Sequence, residues 1–298
     1  MKNKRTPGRT ILKIHRLLLR WYNASARPLP WRTTRNPYRI LVSEVMLQQT
    51  QVSRVLEKYP RFLKRYPGLP SLARSTPAGV LRAWQGMGYN NRAIRLRQLA
   101  KTVMTKHNGA FPRTVGELQA LPGIGRYTAN AIACFAFGAR VPVVDTNIQR
   151  VLGRLFPRIG SGDPWDTAAR FLPETHAYEW NQALMDLGST FCRAISPRCP
   201  DCPLRSVCPS ASRVERPVRR ASKQEPGRRG IPNRIYRGRV VETLRTLKGR
   251  KRVTANVLAR TVLPTYSSRD RVWFNHLLER LQQDGIISIH GRFVSFPK

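Results

Sequence analysis

Residues 121–152 constrain the fold of this chain more than any other stretch. They open with Leu-Pro-Gly-Ile-Gly, which follows a Thr114-x-x-Glu117 capping box and precedes an alanine-rich apolar run. This order predicts a glycine turn between two helices, and the free N–H groups that open the second helix suit a phosphate. Asp145 then stands at the predicted start of another helix. The stretch therefore predicts a phosphate-binding turn beside a carboxylate. The glycine turn alone also fits an ordinary kinked helical hairpin, and Asp145 alone also fits a residue that only caps a helix.

The charge balance indicates a polyanionic partner. The 298 residues include 54 Lys and Arg against 16 Asp and Glu, which gives a formal net charge of +38, while 41% of the residues are hydrophobic. A basic surface kept only for solubility would need far less charge. Residues 11–21 are too often interrupted by basic side chains for a secretory signal or a membrane span. We expect no membrane contact and a cytoplasmic, nucleoid-associated monomer with reduced thiols.

A second carboxylate, Glu44, lies among apolar residues of a helix predicted over 38–47. Desolvation there would disfavour its ionised form, so that it could hold a proton near neutral pH. The alternative is an exposed helical glutamate, as most glutamates are. The uncharged run Gln48-Gln49-Thr50-Gln51 follows at once and suits contacts with base edges. The pattern therefore favours a role in DNA chemistry, although polar turns are common.

Two further loops carry side chains suited to DNA. The loop from Arg27 to Arg32 is rich in proline and presents two guanidiniums and the indole of Trp31, which suit phosphates and stacked bases. A Gly-x-Gly turn presents Met87 and Tyr89, which could enter a duplex where a nucleotide has been rotated out. For both side chains an ordinary buried position is the competing interpretation.

Four cysteines follow in a short proline-rich loop, Cys192, Cys199, Cys202 and Cys208, with the spacing C-x6-C-x2-C-x5-C. Four thiolates without a histidine suit an iron–sulfur cluster or an all-thiolate zinc site. Disulfides are the alternative, and reduced thiols make them unfavourable. The fifth cysteine, Cys134, lies on the alanine-rich helix and is expected to be a small buried residue.

The periodicity predicts an all-α protein, and the length suits two domains and a linker. An arginine-rich stretch over 211–232 is expected to be a flexible basic linker. Over 233–298, three helices and a terminal two-strand hairpin predict a small winged-helix-like module that binds DNA or protein. A small additional domain of three helices would show much the same pattern.

Over residues 10–210 the sequence resembles the MutY-type adenine glycosylases, within the endonuclease III superfamily. The motifs in family order are Leu29-Pro30-Trp31-Arg32, the run 43–51, Gly86-x-Gly88-Tyr89, the run 121–128, Val144-Asp145-x-Asn147 and the run 181–188. The resemblance implies a two-lobed helix-hairpin-helix glycosylase domain over 10–210. One six-helix lobe would cover about 36–147, and a lobe with a [4Fe–4S] cluster would combine 10–35 with 148–210. The four cysteines would hold that cluster.

The resemblance also implies roles for single residues. Catalytic roles fall to Glu44 and Asp145, with Tyr127 and Asn147 in support. The residues implied to line the base pocket are Arg27, Trp31, Leu47, Val52 and Gln182. Those implied to contact DNA that contains a mismatch or lesion are Gln48, Gln49, Thr50, Met87, Tyr89, Gly123, Gly125 and Arg126.

The activity that these roles imply is removal of adenine opposite 8-oxoguanine or guanine, in base excision repair. Glu44 would protonate the leaving base and the ionised Asp145 would stabilise an oxocarbenium-like sugar. Superfamily members that also nick the strand carry a lysine where this chain has Tyr127, so we expect little strand cleavage. No Nudix-like domain is recognisable in 233–298, which leaves open a thymine or uracil glycosylase for mispairs with guanine. A non-enzymatic iron–sulfur DNA-binding regulator is a further alternative.

Overall fold

The computed structural model describes residues 7–157, 162–211, 225–247 and 252–297. Helices dominate these ranges, as the periodicity predicted, and the chain divides into two compact units. The first unit joins residues 1–41, 112–120 and 124–220, and the second joins 42–111, 121–123 and 221–298. Each unit is thus assembled from stretches that are far apart in sequence. The predicted lobe and domain boundaries stay a prediction.

The first unit is a helical body in which the N-terminal helix packs on a late one. Its helices are α1 (Pro7–Ser25), the start of α2 (Pro37–Leu47), α7 (Val115–Gln119), α8 (Arg126–Phe137), α9 (Thr146–Leu155), α10 (Pro164–Arg170) and α11 (Ala177–Thr190). Helix α11 packs against both α1 and α9. Leu18, Ile148 and Trp180 lie in their shared core and are almost fully buried. The predicted capping box forms at α7, where the side chains of Thr114 and Glu117 each accept the other's backbone N–H.

The second unit contains a compact group of helices and the C-terminal end of the chain. The group consists of the end of α2, α3 (Val52–Arg65), α4 (Leu69–Ala73), α5 (Pro77–Ala83) and α6 (Asn91–Lys106). Helices α4 and α5 pack on α6, and Phe62 meets Trp84 edge to face with ring centroids 5.6 Å apart. Thr76 caps α5 by accepting the N–H of Gly79. Residues 84–90 then join α5 to α6; we call them the Tyr89 loop.

The C-terminal module comprises the described residues from 225 onward. Its elements are β1 (Gly227–Arg228), β2 (Ile231–Pro232), α12 (Asn233–Thr246), β3 (Val253–Thr254), α13 (Ala255–Val262), α14 (Arg271–Gln283), β4 (Ser288–His290) and β5 (Phe293–Ser295). The three helices and the terminal hairpin of β4 and β5 match the sequence expectation. The strand β3, which pairs antiparallel with β5, was not predicted, because two residues are too few to show an alternating pattern. The buried side chains of Tyr236, Phe274 and Val294 give the module its own core.

Part of the predicted linker over 211–232 is folded. Residues 212–224 lie outside the described residues, but 227–232 form the β1–β2 hairpin. Arg228 and Arg229, which composition had assigned to the linker, both bind the fully buried Asp270 of the module. The sequence could not show this, because Asp270 lies far along the chain.

None of the helices in the described ranges has both the length and the apolar content that crossing a bilayer requires.

Candidate active site

Glu44 is buried in the last turns of α2, in the second unit. It is 6% exposed, and its neighbours Val42, Val45 and Met46 are buried as well. The alternative of an exposed helical glutamate is therefore wrong. Water is therefore largely excluded from this carboxyl group.

Asp145 belongs to the first unit and caps the N-terminus of α9. One of its carboxylate oxygens accepts the N–H of Ile148 at 2.7 Å, and the other accepts the side-chain amide of Asn147 at 2.8 Å. Asn147 is held in turn by Arg150, which donates to its side-chain oxygen at 2.7 Å. The N-terminus of α9 and these donors thus fix the position of the carboxylate. The two carboxyl groups thus differ in their positions: Glu44 is buried within a helix, whereas Asp145 accepts two hydrogen bonds at a helix N-terminus.

The start of α9 lies against Gly188 of α11. A Cβ atom at Gly188 would stand 2.6 Å from the Cβ of Asn147 and 3.3 Å from its Cα. Only a glycine allows α11 to approach that closely. The carbonyl oxygen of Gly188 also accepts an N–H of Arg150 at 2.8 Å. Gly188 and Arg150 therefore fix the segment that carries Asp145 and Asn147, a role that the sequence did not reveal.

Arg92, at the start of α6, joins the two loops that the sequence linked to DNA. Its guanidinium donates to the carbonyl oxygens of Val45, Met46 and Gln48 at the end of α2. It also donates to the carbonyls of Met87 and Gly88 in the Tyr89 loop, and to the hydroxyl of Thr50. Burial lowers the pKa of Arg92 to about 10. A buried cation that binds only neutral oxygens ties both loops into one unit, and Thr50 takes part in that contact.

The side chains expected to enter a duplex divide into exposed and buried ones. Gln49 is exposed and has a positive φ of 53°, and Tyr89 is 50% exposed with a φ of 43°. Gln48 is exposed too. Met87, by contrast, is 3% exposed and occupies a buried position, as the competing interpretation expected, whereas its entry into a DNA duplex stays a prediction. The glycines on either side of Met87 turn its side chain into the protein, a direction that sequence spacing does not fix.

The predicted glycine turn forms between α7 and α8. Gly123 is exposed and has a φ of +79°, a value that favours glycine, and Gly125 precedes the first turn of α8. Arg126 is exposed there and binds Asp163 at 3.2 Å while lying over the ring of Trp165. Tyr127 is half-buried on the same turn. The turn thus offers exposed backbone and a cation, which suit a phosphate group.

The proline-rich loop is anchored to the protein through both of its guanidiniums, of which that of Arg32 is nearly buried and that of Arg27 is partly exposed. Arg32 binds both oxygens of Asp186, at 2.7 and 2.9 Å, and Arg27 binds the same carboxylate. Burial alone would raise the pKa of Asp186, but these two arginines hold that pKa below its usual range. Trp31 is buried at 7% exposure. Asp186 thus holds both arginines, and the predicted contacts of this loop with bases and phosphates stay a prediction.

The remaining residues implied for the base pocket stay a prediction. Gln182 is buried on α11 in the first unit, and Leu47 and Val52 are half-buried at the junction of α2 and α3 in the second. The sequence also missed Asp186, because nothing in its surroundings on α11 identifies the two arginines that bind it.

The four loop cysteines are half-buried and none forms a disulfide, as expected for reduced thiols. Cys134 is buried, as predicted. Burial, together with the nearby loop thiols, raises the pKa of Cys202 to about 11. A guanidinium nitrogen of Arg154 lies 3.3 Å from the sulfur of Cys192. Within the described ranges, no three His, Cys, Asp or Glu side chains are arranged so that they could hold a metal ion.

A groove of about 1020 Å³ lies within the second unit, between the Tyr89 loop and the C-terminal module. Gln49 and Tyr89 line one side, and Arg234, Arg237 and Arg239 line the other. The exposed side chains that were predicted to contact DNA therefore share a groove with these arginines, of which Arg234 and Arg237 are paired with Glu225 and Asp284.

Comparisons with known proteins identify the family of this chain. The family described as "HhH-GPD superfamily base excision DNA repair protein" matches residues 42–171. An adenine DNA glycosylase of Mycolicibacterium smegmatis is 40% identical over 291 residues, which cover 93% of this chain and 94% of that protein. The human adenine DNA glycosylase is 41% identical over 216 residues, covering 66% of this chain and 39% of the human protein.

Solved structures give the same result for the fold. A thermostable thymine-DNA glycosylase matches with a TM-score of 0.65 and 28% identity, over 68% of this chain and 97% of that one. A non-covalent endonuclease III–DNA complex matches with a TM-score of 0.59 and 26% identity, over 68% and 96%. The extent and identity of the mycobacterial match show that this chain belongs to the adenine DNA glycosylase family, within the HhH-GPD superfamily.

Proposed function

We propose that this protein removes mispaired adenine from double-stranded DNA by hydrolysing its N-glycosidic bond, as a base excision repair enzyme. The observation that carries the proposal is the contrast between the two carboxyl groups. Glu44 is buried among apolar residues, whereas Asp145 is held by an N–H and an amide at a helix N-terminus. The names of the relatives supply the base, adenine.

The contrast assigns each acid a task. Departure of adenine is easier when the base accepts a proton, and a neutral carboxylic acid such as Glu44 is suited to donate one. The sugar that remains acquires oxocarbenium character, which a carboxylate such as Asp145 stabilises. Asn147 holds that carboxylate in place, and Tyr127 is proposed to support it. The base pocket is proposed to include Trp31, Leu47, Val52, Gln182 and Arg27, the last through its bond to Asp186.

DNA is proposed to lie along the exposed basic surface. Gln48, Gln49 and Tyr89 would contact the unpaired partner base, 8-oxoguanine or guanine, and Thr50 would act through its bond to Arg92. A phosphate would bind at the turn formed by Gly123 and Gly125, with Arg126 beside it. The net charge of +38 supports tight, salt-dependent binding to DNA. The enzyme is proposed to act as a monomer associated with the nucleoid.

The loop cysteines are proposed to hold a [4Fe–4S] cluster, and the chemistry of four thiols in one loop supports this proposal. Four free thiols lie half-buried in one loop, and a cation stands beside one of them. Four thiolates are the usual ligands of such clusters. Arg150 donates to the carbonyl of Cys192, so the same residue that fixes Asn147 also holds the cysteine loop. A cluster bound there would stiffen this loop.

The C-terminal module is proposed to be winged-helix-like. Its order of α12, β3, α13, α14, β4 and β5, with β3 pairing the terminal hairpin, supports this. The mycobacterial match covers 93% of the chain and so includes most of the module.

Replacement of Glu44 by Gln tests the proposal. The amide keeps the size of the side chain but donates no acidic proton, so we expect loss of base release by more than about 100-fold. Binding to a duplex with an A·8-oxoguanine pair should stay within about threefold of the wild type. Base release is measured by alkaline cleavage and gel analysis, and binding by fluorescence anisotropy. Equal loss of both would contradict the assigned role.

Removal of thymine or uracil opposite guanine is the second candidate, because a thymine-DNA glycosylase is among the structural matches. The same assay with A·8-oxoguanine, A·G, T·G and U·G duplexes decides between the two. We expect release from the two adenine duplexes, and preferential release of thymine or uracil would favour the alternative.

A further inference from the structure

The C-terminal module is attached to the two ends of the Tyr89 loop by one side chain. Arg245 of α12 donates twice to the carbonyl oxygen of Leu81, at 2.8 and 3.1 Å, just before the loop. It also donates to the side-chain oxygen of Asn90, at 2.8 Å, at the end of the loop. The Arg245 side chain is only 8% exposed. One guanidinium therefore sets the distance between the two ends of the loop.

Three further contacts reinforce this attachment. Glu242, one turn earlier on α12, accepts the side-chain amide of Gln85 at 2.5 Å and also binds Arg245 at 3.0 Å. The guanidinium of Arg82 lies over the ring of Phe296, 5.9 Å from its centroid. A Cβ at Gly285 would stand 3.4 Å from a methyl carbon of Ile94, so the module also approaches α6 closely. These contacts touch α5, the loop and α6.

The backbone of the Tyr89 loop needs such support. Gly86, Gly88 and Tyr89 have positive φ angles of 82°, 66° and 43°. For a tyrosine this conformation costs on the order of 1–3 kcal/mol and persists only where the surroundings impose it. Arg92 holds the carbonyls of residues 87 and 88, and Trp84 donates to the carbonyl of Gly88 at 3.1 Å. The first turn of α6 also binds the end of the loop, since Arg92 and Ala93 donate their backbone N–H groups to the carbonyls of Tyr89 and Asn90 at 2.9 and 3.1 Å. Among the contacts named here, the side chain of Asn90 is held by Arg245.

We infer that the C-terminal module braces the Tyr89 loop and that Arg245 is the positioning residue through which it acts. The inference rests on the proposed function in one respect, namely that Tyr89 meets DNA during base release. The module then contributes to catalysis without touching the reacting base. The module keeps the half-exposed ring of Tyr89 in an orientation that the ring would lose if the loop moved.

Hydrogen exchange of the free full-length protein gives the first test, since it does not depend on activity. In Arg245→Ala we expect amides of residues 84–90 to exchange about tenfold faster than in the wild type, because the loop opens more often. Arg260→Ala is the matched control, because it removes the same charge from an exposed position of the module. It should leave exchange in the loop unchanged. Equal exchange in the Arg245→Ala loop and the wild-type loop would overturn the inference.

A double-mutant cycle gives the second test. In single-turnover assays with an A·8-oxoguanine duplex, Arg245→Ala should lower the rate of base release about tenfold, with binding of undamaged duplex within twofold. Arg245→Lys, which keeps one donor, should be intermediate. In a Tyr89→Ala background, Arg245→Ala should cause no further loss, because both act through the same side chain. Additive losses would overturn the inference, whereas a wild type that releases no adenine would contradict only the proposed function.

Discussion

Replacing Gly188 by alanine should displace Asp145 and lower the rate of base release much more than it lowers the stability of the fold. The new Cβ would stand 2.6 Å from the Cβ of Asn147, whereas carbon atoms in good contact are about 3.5–4.0 Å apart. The start of α9 must therefore move by about 1 Å. Overpacking of this kind costs about 1–3 kcal/mol of stability. A misplacement of about 1 Å near the reacting atoms can lower a rate about 100-fold.

Single-turnover release of adenine from an A·8-oxoguanine duplex measures the rate, and thermal unfolding shows that the variant is folded. Gly153→Ala is the matched control, because it makes the same change on α9, where a Cβ meets nothing within 4 Å. That control should keep the wild-type rate and gain up to about 1 kcal/mol from its higher helix propensity. A Gly188→Ala enzyme that is destabilised but acts at the wild-type rate would refute the link between α11 and Asp145.

Three other outcomes are expected. Arg92→Met leaves three buried carbonyl oxygens without their donor, so it should destabilise the protein by about 3 kcal/mol in urea unfolding, and an unchanged midpoint would contradict this. The folded-state pKa of Asp186 is depressed from 3.8, so its ion pairs stabilise fully above about pH 4 and lose effect as pH falls further. Asp186→Asn should thus cost about 3–5 kcal/mol at pH 7, with a smaller difference in thermal unfolding below pH 3. Borohydride should trap no covalent enzyme–DNA adduct, because Tyr127 offers no amine; robust trapping would show a nicking mechanism.

The helices that could be predicted from the sequence are those with local signals. The capping box at Thr114 and Glu117 lies within one turn of the helix that it opens, and it formed as expected. Asp145 was likewise recognised as a helix cap, because the group it binds lies three residues ahead. The burial of Glu44 followed from its apolar neighbours on the same helix.

Features that depend on distant partners were missed or misread. Arg27 and Arg32 look like surface cations until Asp186, on α11, is brought to them. Arg92 has no local mark of its role, because its acceptors are backbone oxygens, which every sequence offers. Met87 and Tyr89 stand two residues apart in the same turn, and only the backbone conformation decides that one is buried and the other exposed.

The packing of α1 on α11 has a consequence for synthesis of the chain. Arg27 and its partner Asp186 are separated by 159 residues. At about 5–20 residues per second, a ribosome needs roughly 8–30 s to make that interval. During this time α1 emerges with Leu18 and the rest of its apolar face uncovered. The nascent N-terminus is therefore expected to be a chaperone client until α11 leaves the exit tunnel.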